Sequence, residues 1–164
     1  LSSYVQLSQG KYACGVQLVG VSREYMANIP LAEGSELPAS NSKKLQLLIG
    51  NGVIQDFYEA STYKYPYYED GELPDVDFMK KTLFTQFEST YVTDSEGNMV
   101  EQPARRNIFP VVGMVAGGPE DYNQYCWNVY TDIDSLKRYL TDTYRGQAIP
   151  GQPTDKKSIP VFLL

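Results

Sequence analysis

The chain has 164 residues and a mass of 18.5 kDa, enough for one domain with its own core and too little for two full ones. Hydrophobic residues at 42% and charged residues at 21% exclude a disordered chain, and no stretch reaches the roughly 18 apolar residues of a membrane-spanning helix. A net charge of −6 excludes nucleic acid and anionic membrane surfaces as general partners, and the absence of histidine removes imidazole bases, Ser-His and Cys-His nucleophiles and imidazole metal sites.

From the N-terminus, "SYVQL" and "KYACGVQLVGV" read as strands joined by the turn-like "SQG", with Tyr12, Cys14, Val16 and Leu18 on one face of the second and Gln17 on the other. Ser22 is a cap for a short helix that Pro30 stops, and residues 31–42 form a loop by composition. Gly50, Asn51 and Gly52 then split an apolar segment into two pieces, readable as strands or as helix fragments. In "STYKYPYYED", residues 61–70, a two-residue period puts Tyr63, Tyr65 and Tyr67 on one face of a strand, with Tyr68 next to them. Pro66 cannot donate to a sheet ladder, which predicts an edge strand.

Helical spacing of Val76, Met79, Leu83 and Phe87, with Asp75 and Asp77 near the N-terminus, predicts a helix over about 75–92. "YVTDSEGNMVEQ" reads as a hairpin turning at Asp94, Gly97 and Asn98. "NIFPVVGMVAGG" reads as a buried strand, and "YCWNVYT" as another with Tyr125, Trp127 and Val129 on one face. A second helix is predicted over about 132–145, capped by Asp132, lined by Ile133, Leu136 and Leu140, and ended by Gly146. The expected fold is α+β: a single domain over 1–146, a mostly antiparallel sheet with these two main helices, and an extended C-terminal arm over 147–164 that ends in the apolar plug "VFLL".

Reactive patterns are few. Ser40 to Lys43 matches the SxxK spacing of a serine nucleophile without its companion motifs, and reads as a turn. "GMVAGGPED", residues 113–121, resembles a glycine-rich phosphate loop, but Glu120 and Asp121 would compete with phosphate for the same amide donors; a tight turn with Gly117 or Gly118 at positive φ explains it better. Glu69, Asp70, Glu72, Asp75 and Asp77 lack the spacing of a calcium loop and read as a solvated acidic turn. Cys14 and Cys126 are too far apart for a CxxC site; both should be shielded from solvent, as free thiols or as a disulfide. The chain begins at Leu1 rather than Met, which an exported, organelle-imported or processed virion protein would explain, as would simple trimming.

These residues point to contact rather than chemistry. The leading expectation is a non-catalytic structural or interaction subunit of a larger assembly, whose partners are other protein subunits. It would meet them through Tyr63, Tyr65, Tyr67 and Tyr68 on the edge strand, Trp127, and Phe162 and Leu163 in the arm. The alternative is a ligand-binding module that stacks a carbohydrate or another flat ligand on Tyr63 to Tyr68 with Trp127. A carboxylate-based enzyme comes third, since no pair of acids is singled out. No catalytic residue, cofactor, metal ligand or membrane insertion is assigned.

Overall fold

The computed structural model of the chain describes residues 1–40, 42–88, 90–102 and 105–143. The arm expected over 147–164, with Phe162 and Leu163, lies outside the described residues. In chain order the elements are β1 (Ser2–Gln9), β2 (Tyr12–Val21), α1 (Arg23–Met26), β3 (Leu47–Ile49), a 3-10 turn (Val53–Asp56), β4 (Tyr58–Glu59) and α2 (Pro66–Asp70). They continue with β5 (Phe84–Phe87), β6 (Thr90–Thr93), β7 (Met99–Gln102), β8 (Arg106–Ile108), β9 (Val111–Met114), β10 (Val129–Asp132) and α3 (Ile133–Thr143).

The N-terminal hairpin forms as its alternation predicts. β1 and β2 pair antiparallel from Ser2↔Val19 to Gln9↔Tyr12, and Gly10 turns the chain at φ +58°. Val5, Leu7, Cys14, Val16 and Leu18 face the core, while Tyr4, Gln6 and Gln17 face out. β5 pairs outside β1, and β8 outside β5, both antiparallel. On the other flank β10 runs parallel to β2 and antiparallel to β3, and β9 runs parallel to β3. The resulting order, β8-β5-β1-β2-β10-β3-β9, makes one curled sheet that is mixed rather than purely antiparallel. With three short helices, the architecture is α+β in the broad sense.

The chain enters α3 directly from β10. Asp132, 2% exposed, caps the helix as expected, accepting from both Ser135 N and Ser135 Oγ at 3.0 Å. Gly20 lets the helix close on the sheet: a Cβ there would meet Ile133 Cα and Leu136 Cδ2 at 3.1 Å. Leu136 and Leu140 join Leu7, Leu18, Phe57 and Phe87 in the main core, and Met26, Leu48, Val115 and Tyr130 form a smaller cluster. Ser22 caps α1 as predicted, its Oγ accepting from Tyr25 N at 3.1 Å.

Three expectations are overturned. Residues 75–92 are not a helix: Phe84–Phe87 is the strand between β1 and β8, with Leu7 opposite Thr85, and Thr90–Thr93 begins another hairpin. The buried Gln9 replaces helical bonds in the preceding segment. Its Nε2 donates to the carbonyls of Asp77 at 2.8 Å and Thr82 at 3.2 Å, and its Oε1 accepts from Asp77 N at 2.7 Å. The run 107–118 is split at Pro110 into β8 and β9, on opposite ends of the sheet. Tyr125 and Trp127 precede the strand that carries Val129, in a turn closed by Cys126 N donating to Asn123 O.

Candidate functional site

The tyrosines gather, but not on a strand. After β4 the chain reverses through Tyr63, whose N–H donates to Glu59 O at 2.7 Å and whose φ of +59° is the single positive value outside glycine among the described residues. Pro66, expected at a sheet edge, is instead the first residue of α2, where its missing donor costs nothing and its fixed φ suits the helix. Glu69 reaches back to accept from Tyr65 N at 2.6 Å, and Gly71 ends the helix in the left-handed conformation at φ +71°. The shared face of Tyr63, Tyr65 and Tyr67 is therefore corrected: the period of two was a turn followed by one and a half turns of helix.

Instead of a flat row, the rings make a connected surface. Tyr63 stacks on Tyr58 at 5.8 Å between centroids, Tyr58 meets Tyr65 at 5.4 Å, Tyr65 meets Tyr68 at 6.2 Å, and Tyr67 meets Tyr68 edge-on at 5.4 Å. Tyr63 is 74% exposed and Tyr68 57%. Trp127 stacks on Tyr122 at 5.4 Å and lies against Gly52. Glu120 joins the two groups by accepting from the Tyr67 hydroxyl at 2.6 Å, two residues from Tyr122.

The acids on this surface hold the phenols protonated. The hydrogen bond to Glu120 keeps the Tyr67 phenol above its ordinary range. Burial, and then the 2.7 Å hydrogen bond to Asp56, pushes Tyr68 up to about 12. Lys64 pairs with Asp70 at 2.8 Å, at an exposed position where such a pair adds little stability. Among the described residues no three of His, Cys, Asp and Glu converge as a metal site would need, and no helix is long and apolar enough to cross a membrane.

The loop over 113–121 takes its expected form, with Gly117 at φ +109°. Asp121 Oδ2 accepts from Gly118 N at 2.6 Å, so the amide that a phosphate would need is already held. Two buried amide side chains pin this loop to the 3-10 turn. Asn51 Nδ2 donates to the carbonyls of Gly118 and Asp121, each at 2.8 Å, and Gln55 Nε2 to that of Pro119 at 2.7 Å.

Beside Tyr58 and Tyr65 lies a cleft of about 440 Å³, lined by Tyr4, Gln6, Gly15, Asp56, Tyr58 and Tyr65. Sequence reasoning singled out Tyr65 alone among these six. The others leave a faint signal, since Tyr4 and Gln6 occupy outward positions of β1 and Gly15 an outward position of β2, but only the pairing of β2 with β4 brings Tyr58 beside them.

A second surface is the hairpin of β6 and β7. Its turn forms as predicted: Asp94 N donates to Asn98 O at 2.9 Å, the Asp94 carboxylate accepts from the backbone of Glu96 and Asn98, and Gly97 lies at φ +84°. Among the described residues its two strands ladder only with each other. Tyr91, Met99 and Val100 stand exposed on it, Met99 at 64%.

No protein-family model matches the chain, and no curated protein matches it in sequence.

Proposed function

We propose that the chain is a non-catalytic structural or interaction subunit of a larger protein assembly. It meets other subunits through the hairpin over 90–102 and the tyrosine-rich surface, and the sequence adds the C-terminal arm with Phe162 and Leu163.

The hairpin is the observation that carries this reading. A two-stranded ribbon alone is marginal in water, and this one pairs with no third strand among the described residues while exposing Tyr91, Met99 and Val100. The ends of the main sheet are treated differently. Beside β9, Ala32 N donates to Met114 O and Glu36 N to Val112 O, so residues 31–36 cover that edge. At the other end β8 is three residues long, and Arg106 lies over the Phe84 ring at 3.6 Å. Two edges are blunted, while among the described residues this third ladder has no added strand, which supports reading it as kept for a partner.

Amide hydrogen exchange tests the reading. Residues 90–102 should exchange quickly in the isolated chain and slowly in the protein purified from its native source. Equal exchange in both preparations would leave the hairpin without a partner and overturn the proposal.

A further inference from the structure

The cleft beside the tyrosines, about 440 Å³, has the size of a small molecule. Its floor follows from register: Gln6 lies opposite Gly15 on the outer face of the first hairpin, and Ala13, two residues before Gly15, pairs with Tyr58. Because Gly15 has no side chain, the Tyr4 phenol leans across it into the space a Cβ would fill. Tyr58, and Tyr65 at the start of α2, close the far wall, and Asp56 closes the end. Four separate segments thus converge on one concavity, whose volume lies in the range of about 300–1,000 Å³ typical of small-molecule sites.

We propose that this cleft binds a neutral pyranose, one ring of a glycan, in the chain free of its partners, a reading that does not rest on the hairpin contact. The aromatic faces of Tyr4, 46% exposed, and Tyr65, 39% exposed, suit the C–H face of a sugar ring. The polar groups suit its hydroxyls. Gln6 Nε2 donates to the Tyr58 hydroxyl at 3.3 Å and keeps its carbonyl oxygen for an incoming donor. Asp56 accepts from Tyr68 through Oδ1, leaving Oδ2 to accept from a sugar hydroxyl.

Charge narrows the class. The six lining residues include one carboxylate and no cation, so phosphorylated, sulfated or carboxylated sugars are repelled. A quaternary ammonium is the competing guest for tyrosines beside an acid. Here, however, Tyr58 and Tyr65 touch each other at 5.4 Å and 48°, and Tyr63 stacks on Tyr58, so these rings do not flank a gap for a cation.

The test is titration of the isotope-labelled 164-residue chain, followed by its amide spectrum, with cellotriose, maltotriose, mannotriose and chitotriose, and separately with choline and inorganic phosphate. At least one trisaccharide should bind at about 1 mM or tighter and move the amides of Gln6, Gly15, Asp56, Tyr58 and Tyr65. Tyr65→Ala should weaken that binding roughly two- to tenfold. Gly15→Ala should weaken it too by displacing the Tyr4 phenol, with the rest of the spectrum, and hence the fold, unchanged. Failure of all four sugars to move these amides would overturn the proposal, as would choline or phosphate binding there instead, or sugar shifts confined to Tyr122 and Trp127. Hydrogen exchange of the hairpin is a separate readout, so a failed sugar titration leaves the assembly reading standing.

Discussion

Asn51 is the joint between the sheet and the loop that carries Glu120 and Tyr122, and Asn51→Ala should loosen it. The residue is 4% exposed, and its amide supplies two 2.8 Å hydrogen bonds, to Gly118 O and Asp121 O. Each lost bond costs about 0.5–1.5 kcal/mol net, so the pair is worth about 2 kcal/mol. For a domain of this size that lowers the melting midpoint by roughly 4–8 °C. Asn51→Asp is the sharper variant: it keeps the shape but points a carboxylate at two carbonyls, and should cost more than alanine. Both can be read by thermal melting in circular dichroism, with the exposed Gln17→Ala as control. Trp127 emission reports the same event locally, because the loosened loop carries the Tyr122 ring that stacks on it. Midpoints within 1 °C of the unaltered chain, or an aspartate variant milder than alanine, would refute the assignment of Asn51 as the joint.

Asp132→Ala should cost about 1–2 kcal/mol by removing the α3 cap, with little added by the loss of the 3.9 Å pair with Arg23, which is half exposed and also donates to Pro38 O; Asp132→Asn, which keeps an acceptor, should cost less in denaturant melts. Burial raises Cys14 from 9.0 and Tyr130 from 10.0, each to about 12. The folded chain therefore holds these protons more tightly than the unfolded one, so their contribution is whole below about pH 9 and is lost as pH rises towards 12. Melting midpoints should fall across that window; a flat profile would contradict the shifts. Both Cys14 and Cys126 are buried free thiols, so a bulky maleimide should label neither until the chain unfolds, and rapid native labelling of either would count against the packing.

Where local chemistry and tertiary structure agree, the sequence was readable. The first hairpin, the turn at Asp94 to Asn98, the Ser22 and Asp132 caps and the 132–145 helix each carry their own signal within a few residues, and α3 is observed over Ile133–Thr143. The misreadings lie where distant groups decide. Val76, Met79, Leu83 and Phe87 satisfy a helical period, but Gln9 holds the backbone of 77–82 from 68 residues away and β1 claims 84–87. Similarly, the tyrosine alternation over 63–67 fits a strand until Pro66 is seen to start a helix. The tyrosine surface was legible as composition, but its geometry was not. Its cleft depends on Tyr4 and Gln6 of β1 lying across β2, with its Gly15, from β4, a pairing that no local pattern encodes.

The most direct test of the assembly claim is the mass, by native mass spectrometry, of the protein purified from its own source, beside a variant carrying Tyr91→Ser, Met99→Ser and Val100→Ser. The unaltered protein should appear in a complex well above the mass of its own denatured polypeptide, and the variant should run at that single-polypeptide mass with an unchanged melting midpoint, since those side chains are exposed. A native species no heavier than its own denatured polypeptide, or a variant that assembles as well as the unaltered chain, would contradict the account.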